Sequence, residues 1–453
     1  MDHYQRYQTN FNHYPLQRPG LLLRPESYSR LQEVISSDCI ARGLGSNYGD
    51  AALNGSGQLI LTERLDRFLN FDEQEGIICA EAGISLTKIL DVIITRGWFL
   101  PVTPGTSEVT LGGCVAVDVH GKNHHRVGSI GQHILALELI SAEGERIHCS
   151  PVILPGLFWA TIGGMGLTGI IGTVTLKLKP IKSAYMLVQY QTSDHLQAVF
   201  NSLSQENSVD EYQVAWLDGL NTPLGRGITM RARHANLTDL SVQQRCKPFS
   251  VPRRKSYKLP FYLPNGFLHQ TLVRAFNKYY YQRLAKKKHP CLLSYRDYFY
   301  PLDRIANWSR LYGKRGFLQY QCVVPIESAY LLTKQILETL NIQKYPIYLA
   351  VLKRFGKESL APLSFAVPGF TLALDLPLCN PGLFNCLDTL DTLVIAAGGR
   401  VYLAKDARLK PEAFRSMYPR YREWLAIKQQ WDSENKFNSS LAKRLEIVNP
   451  QTC

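Results

Sequence analysis

Three glycine-dense segments carry the first signs of chemistry. They are Ala41-Arg42-Gly43-Leu44-Gly45-Ser46-Asn47-Tyr48-Gly49-Asp50, Pro104-Gly105-Thr106-Ser107-Glu108-Val109-Thr110-Leu111-Gly112-Gly113 and Gly163-Gly164-Met165-Gly166-Leu167-Thr168-Gly169-Ile170-Ile171-Gly172. Glycine lets backbone turn tightly and brings its amides against a ligand's phosphates. One such loop is an ordinary connector; three in close succession predict an extended ligand lying along a groove of amides, with Thr106 and Thr110 able to donate hydroxyl bonds to it. The first segment is not the nicotinamide-dinucleotide fingerprint, because it runs into Asn54-Gly55-Ser56-Gly57 instead of opening a helix.

The second segment leads into Val117-Asp118-Val119-His120-Gly121-Lys122-Asn123-His124-His125. His120, His124, His125 and His133 invite a zinc reading, but no cysteine or carboxylate completes a known ligand spacing, so no metal is expected. Gln319 and Gln321 flank Tyr320, which puts both amides on one face of a strand, either as an exposed polar face or as partners for sugar hydroxyls. Taken without its neighbours, Lys405 in Ala404-Lys405-Asp406 is a solvated surface charge.

The elements that would position these groups are legible from periodicity. Apolar runs at 59–61, 77–80, 134–140 and 170–178 predict strands, and Leu86, Ile89, Leu90, Val92 and Ile93 predict a helix over Ser85 to Arg96 stopped by Gly97. Further on, 186–190, 317–324 and 370–376 predict longer strands and Ser328 to Leu340 a helix, followed by a strand at Val401 to Ala404 and a helix from Pro411 to Gln430. The fold class is therefore α+β. The expected organisation is a first domain over 1–183, a second, antiparallel-sheet domain over 184–397 with a basic insert at 245–288, and a C-terminal segment, 398–453, that returns to the first domain.

The 453 residues carry 51 Lys and Arg against 37 Asp and Glu, and the difference of +14 favours anionic partners. Twelve of those cations, with no acidic residue, lie between Arg245 and Lys288: Arg245, Lys247, Arg253, Arg254, Lys255, Lys258, Arg274, Lys278, Arg283, Lys286, Lys287 and Lys288. Phe261, Tyr262, Phe267, Phe276 and Tyr279 to Tyr281 are interleaved among them, and Pro248, Pro252, Pro260 and Pro264 argue against one continuous helix across the first half. This pattern suits peripheral contact with an anionic membrane, and no recognition helix or RNA-binding motif supports a nucleic-acid partner. The ten cysteines are scattered, Met1 to Arg6 opens no apolar leader, and glycines interrupt the best apolar stretch, so a cytoplasmic chain is expected, at most peripheral at the inner face of the cell membrane.

Together with Phe158-Trp159-Ala160-Thr161-Ile162-Gly163-Gly164, Leu318-Gln319-Tyr320-Gln321, Met417-Tyr418-Pro419 and Leu441 to Glu446, these motifs resemble the decaprenylphosphoryl-β-D-ribose oxidases across nearly the whole chain. Those are flavoproteins of the vanillyl-alcohol-oxidase fold. The resemblance implies a two-domain FAD-binding fold in which Ala41, Arg42, Gly43, Leu44, Gly45, Ser46, Asn47, Tyr48, Gly49, Asp50 and Ala51 cradle the pyrophosphate. It adds Gly105, Thr110, Leu111, Gly112, Gly113, Val117, Asp118, Val119, His120, Ile171 and Tyr402 to the flavin site, with FAD held non-covalently. Mycobacterial members carry an inhibitor-reactive cysteine two residues before an aspartate facing the flavin; Ala373 takes that place here, before Asp375.

Oxidising a secondary alcohol sends a hydride to the flavin and a proton to a base, which calls for a cation and a proton acceptor. Lys405 is the expected cation. His120 is the first expectation for the polar group at the substrate hydroxyl because imidazole titrates near neutrality, with Tyr48 and Lys405 competing for that role. Gln319, Gln321, Lys122 and Asp375 are the expected substrate-binding residues. The implied reaction is oxidation of the 2′-hydroxyl of a polyprenyl-phosphate pentose to the 2′-keto intermediate, the first half of an epimerisation that a separate NAD(P)H-dependent keto-sugar reductase would complete. The alternatives are an oxidase of a free sugar or aldonolactone and, in another class, a flavin-free binding protein at the membrane surface.

Overall fold

Alternating apolar runs and glycine turns fold in the computed structural model into sheets whose loops converge on one side. The structure describes residues 5–205, 209–252, 256–287, 289–378 and 381–448; Arg253, Arg254, Lys255 and Lys288 of the basic stretch, with Cys379 and Cys453, lie outside the described residues. A small parallel sheet orders Leu21–Leu23, Gln58–Leu61 and Cys39–Arg42. Beside it in sequence is an antiparallel five-stranded sheet ordered Phe68–Asp72, Ile77–Glu81, Ile170–Lys177, Ile134–Ile140 and Arg146–Cys149.

The helix Leu86–Ile93 shows how local chemistry sets these elements. The Ser85 side chain caps it by accepting from the Lys88 amide, and Leu86, Ile89, Leu90 and Ile93 form its buried stripe. A tighter turn, Ile94–Arg96, follows, and Gly97 closes it at φ 80°, a left-handed conformation that suits glycine.

An antiparallel eight-stranded sheet orders Cys291–Ser294, Tyr185–Ser193, Gly227–His234, Tyr212–Leu217, Leu349–Phe355, Gly369–Pro377, Phe317–Val324 and Arg400–Val401. Helices Leu196–Ser204 and Ile326–Ile342 pack against it, as does Gln270–Ala285 from the basic insert, which begins only after the last of the insert's prolines. The largest buried cluster runs from Leu59 and Leu61 through Tyr320 and Leu374 to Trp424 and Leu441, so the parallel sheet and the eight-stranded sheet share one core with the C-terminal helices.

Two expectations are corrected. The strand expected over Val401 to Ala404 is only Arg400–Val401, because the chain tightens into a single turn at Leu403–Lys405. The helix expected from Pro411 to Gln430 divides into Pro411–Met417 and Tyr421–Trp431, since Pro419 has no amide to donate and clashes with the preceding turn. The C-terminal segment is tied back to the early loops. Asn438 donates its amide to the Cys39 carbonyl, and Arg444 donates to both Asp50 and Asp406.

Candidate active site and cofactor cradle

The glycine segments meet along one cavity of about 1220 Å³, larger than the roughly 300–1,000 Å³ of a pocket for a single drug-sized ligand. The first segment presents Ala41, Gly43, Leu44, Gly45, Ser46, Asn47, Tyr48 and Ala51 to it. Gly105, Thr110, Gly112, Gly113, Val117, Val119 and His120 form the facing wall, and Ile171 and Tyr402 complete it. Thr110 caps the short helix Leu111–Ala116 by accepting from the Gly113 amide at 3.2 Å, while Gly112 donates to Ala82 at 2.7 Å, and these bonds bring that wall close to the sheet.

Six of the expected site residues stand behind the wall. Buried Arg42 donates to Asn10 and to the Thr9 and Ala52 carbonyls, so it braces the first loop from beneath. Asp50 is held by Arg444, and Gly49 packs so tightly against the Lys405 turn that an added Cβ would sit 1.6 Å from the Asp406 carbonyl oxygen. Leu111 is buried in the core. Asp118 accepts from Ser129 at 2.7 Å, Ser364 at 2.6 Å and the Gly131 amide at 3.0 Å, drawing three segments together. Asp375 also lies outside the cavity; it accepts from Gln319 at 2.6 Å and Tyr312 at 3.1 Å, two side chains that do line it. The expectation that it touches substrate is corrected: the structure places it behind Gln319 and Tyr312 instead of on the cavity wall.

The polar end of the cavity gathers Lys122, Lys353 and Lys405 with His120, Gln319 and Gln321. Burial, with Lys353 adding to it, lowers Lys122 to a pKa of about 7, and burial, partly offset by Asp375 and reinforced by Lys353, lowers Lys405 to about 7. Burial lowers Lys353 to about 8. The Lys405 ammonium lies 3.4 Å from the centroid of the Tyr48 ring, and Lys122 donates to the Tyr298 carbonyl and sits 4.0 Å from that ring's centroid.

His120 differs from expectation. Its ring nitrogens lie 3.0 Å from the Gln321 amide and 3.4 Å from Lys353 Nζ, and burial, then Lys353, His124 and Lys405, lowers its pKa well below 6.5. The imidazole is thus neutral across physiological pH, and the expectation that it titrates near neutrality does not hold. Tyr48 is likewise held protonated: burial, then Asp375 and Asp303, raises its phenol well above 10, so it serves as a donor. Of the three expected catalytic groups only Lys405 titrates near neutrality.

Sequence reasoning missed Lys353. It lies on Leu349–Phe355, where Leu349, Val351 and Lys353 share the cavity face while Ala350 and Leu352 are buried on the other. The alternation is visible in the sequence, but which face opens on a cavity is not. His124, one of the histidines considered as a metal ligand, instead accepts from the Gly356 amide at 3.1 Å and packs on Phe355 at 4.2 Å.

The family profile described as an FAD binding domain matches residues 19–150. Decaprenylphosphoryl-beta-D-ribose oxidase of Mycolicibacterium smegmatis is 35% identical over 435 residues, covering 95% of this chain and 93% of the relative. The chain belongs to the decaprenylphosphoryl-β-D-ribose oxidase family. More distantly, the L-gulonolactone oxidase of Mus musculus is 23% identical over 457 residues, covering 94% and 95% of the two chains. Like these oxidases, the protein is an FAD-dependent oxidoreductase acting on a sugar hydroxyl, in the α+β flavoprotein fold of its family.

The cavity fits that cofactor. The glycine segments give it a side-chain-poor stretch of wall, where Gly105 faces open space with nothing within 4 Å of an added Cβ. Elsewhere the same walls admit no side chain: a Cβ on Gly43 would sit 2.3 Å from the Thr110 hydroxyl. Among the described residues no helix is long and apolar enough to cross a membrane.

Proposed function

We propose that the protein oxidises the 2′-hydroxyl of a polyprenyl-phosphate pentose to the 2′-keto intermediate. The observation that carries this reading is the lysine cluster, because Lys122 and Lys353 stand beside Lys405 on one cavity and a substrate bearing a phosphate holds them charged there, whereas a neutral lactone gives them no counter-charge. The relative's name, a decaprenylphosphoryl-ribose oxidase, supports the same substrate class. Bound FAD supplies the hydride acceptor. In its neutral form Lys405 takes the hydroxyl proton on Nζ and keeps it as positive charge beside the Tyr48 ring. Gln319, fixed by Asp375, and Gln321, fixed by Thr371 and His120, orient the sugar hydroxyls, and Lys122 and Lys353 take the phosphate.

FAD is held without a covalent bond to His120, a reading supported by the engagement of both ring nitrogens with Gln321 and Lys353. Residues 1–183 with 398–453 form the FAD-binding unit and 184–397 the cap over the substrate. The insert meets an anionic membrane from the cytoplasmic side, a reading supported by Phe261, Phe267, Phe276 and Tyr279, which are all exposed among its cations. A separate NAD(P)H-dependent reductase completes the epimerisation.

The alternative, oxidation of a free sugar or aldonolactone, draws on the likeness to L-gulonolactone oxidase. Anaerobic mixing of the yellow holoenzyme with each substrate decides between them. A lipid-linked pentose phosphate should bleach the flavin; bleaching only by free lactones would overturn the proposal. Membership of an FAD-dependent family removes the flavin-free binding protein.

A further inference from the structure

Away from the glycine segments the cavity changes character. Strand register shows why. Gln321 pairs with Ala373, Ala373 with Val351 and Val351 with Trp216, so these side chains share one face of the eight-stranded sheet. On the same face, two residues along from Trp216, Val214 pairs with Met230 and Met230 with Tyr190. The row crosses five inter-strand steps, about 24 Å at roughly 4.8 Å per step. It begins at Gln321 and Lys353 beside His120 and becomes wholly apolar or aromatic by Trp216.

The helix Gln270–Ala285 roofs that apolar end. Val273 is buried beneath it, Tyr280 packs against Trp216 at 5.0 Å between ring centroids, and Phe276 stacks on Tyr280 at 5.9 Å. Leu272 and Phe276 line the cavity yet are 38% and 56% exposed, so the apolar arm opens at the protein surface along this helix. Arg274, Lys278 and Arg283 are exposed on the same helix.

We infer that this arm is the binding channel for the isoprenoid tail of the substrate. The inference rests on the polyprenyl-phosphate reading above and deepens it. One ligand then matches every part of the cavity: pentose at the glutamines, phosphate at Lys122 and Lys353, and the first isoprene units along Val351, Trp216, Val214 and Met230. The remainder of the tail leaves between Leu272 and Phe276, beside cations that face an anionic membrane. An apolar lining of this length attached to a lysine cluster suits an amphiphile with an anionic head, since each buried CH₂ adds to affinity without directional bonds.

The test compares phosphoryl pentoses esterified with a methyl or a farnesyl group, read as anaerobic flavin reduction by the holoenzyme. In the wild type kcat/KM should be at least about 100-fold higher for the farnesyl ester. In Met230→Asp, which places a charge in the arm, and in Phe276→Glu, at its exposed mouth, the farnesyl-to-methyl ratio should fall at least about tenfold. Phe276→Glu keeps the test decisive should Met230→Asp fail to retain FAD. A wild-type ratio near one, or a wild-type ratio in Phe276→Glu, would overturn the channel while leaving the substrate reading intact. Reduction by neither ester in the wild type would overturn the substrate reading and the channel with it.

Discussion

Replacing Gly49 by alanine tests the packing that holds the cofactor loop against the catalytic turn. The new methyl carbon would lie 1.6 Å from the Asp406 carbonyl oxygen and 2.5 Å from its carbon, both backbone atoms that cannot rotate aside. Ordinary C···O contact needs roughly 3.3 Å, so loop and turn must separate by about 1.7 Å. That movement breaks the Tyr48 amide bond to Ala404, now 3.2 Å, and lifts Tyr48 from the Lys405 ammonium. Overpacking costs about 1–3 kcal/mol and a lost hydrogen bond about 1 kcal/mol. The sum, about 2–4 kcal/mol, corresponds to a loss of FAD affinity between roughly 30-fold and 1,000-fold. Gly156→Ala is the matched control, because it lies outside the cavity, its methyl meets only an ordinary 3.8 Å contact with Ile427, and neither glycine has a positive φ. The assay is flavin content after gel filtration, followed by titration with added FAD. Gly49→Ala should elute largely colourless and Gly156→Ala yellow; a Gly49→Ala protein with a full flavin complement and unchanged thermal midpoint would refute the packing argument.

Lys405→Met, which keeps the bulk of the side chain and removes its charge, should slow flavin reduction by about 10²–10³-fold with FAD still bound; stopped-flow traces within threefold of wild type would remove Lys405 from the chemistry. Binding of a phosphate-bearing substrate should weaken as pH rises through 7 and 8, because Lys122, Lys405 and Lys353 lose their charge over that interval, whereas a neutral sugar should show no such trend. The comparison of KM against pH for the two substrates checks the sign: anion affinity rises as pH falls through 7 and is lost above about 8. Arg444→Leu should destabilise the fold by about 3–5 kcal/mol, since it strands two carboxylates that are each only 2% exposed in their side chains. Urea unfolding followed by tryptophan fluorescence measures it, and a change under 1 kcal/mol would show that Arg444 does not hold Asp50 and Asp406 together.

The local grammar of the chain was legible in advance. Ser85 and Gly97 mark both ends of their helix, the apolar runs at 134–140 and 317–324 are strands, and the glycine segments do line a common cavity, because capping, alternation and backbone freedom are properties of neighbouring residues. Pro419 breaks the C-terminal helix, which the expectation of one helix from Pro411 to Gln430 passed over. The protonation of the site was not legible. His120 carries an ordinary imidazole in the sequence, and only burial against Phe355 with Lys353 at one nitrogen makes it a neutral hydrogen-bonding group. Asp375 reads as a substrate contact in a strand and proves to support Gln319 and Tyr312 from outside the cavity. Lys353, 233 residues from His120 in sequence, entered the site only when two sheet-forming segments met. The sequence by itself thus determined the elements, the glycine cradle and the family, since each rests on short-range pattern. Tertiary structure alone decided which lysines share a cavity, which groups titrate near neutrality and where the apolar arm runs, because desolvation and charge coupling depend on distances that chain order does not record.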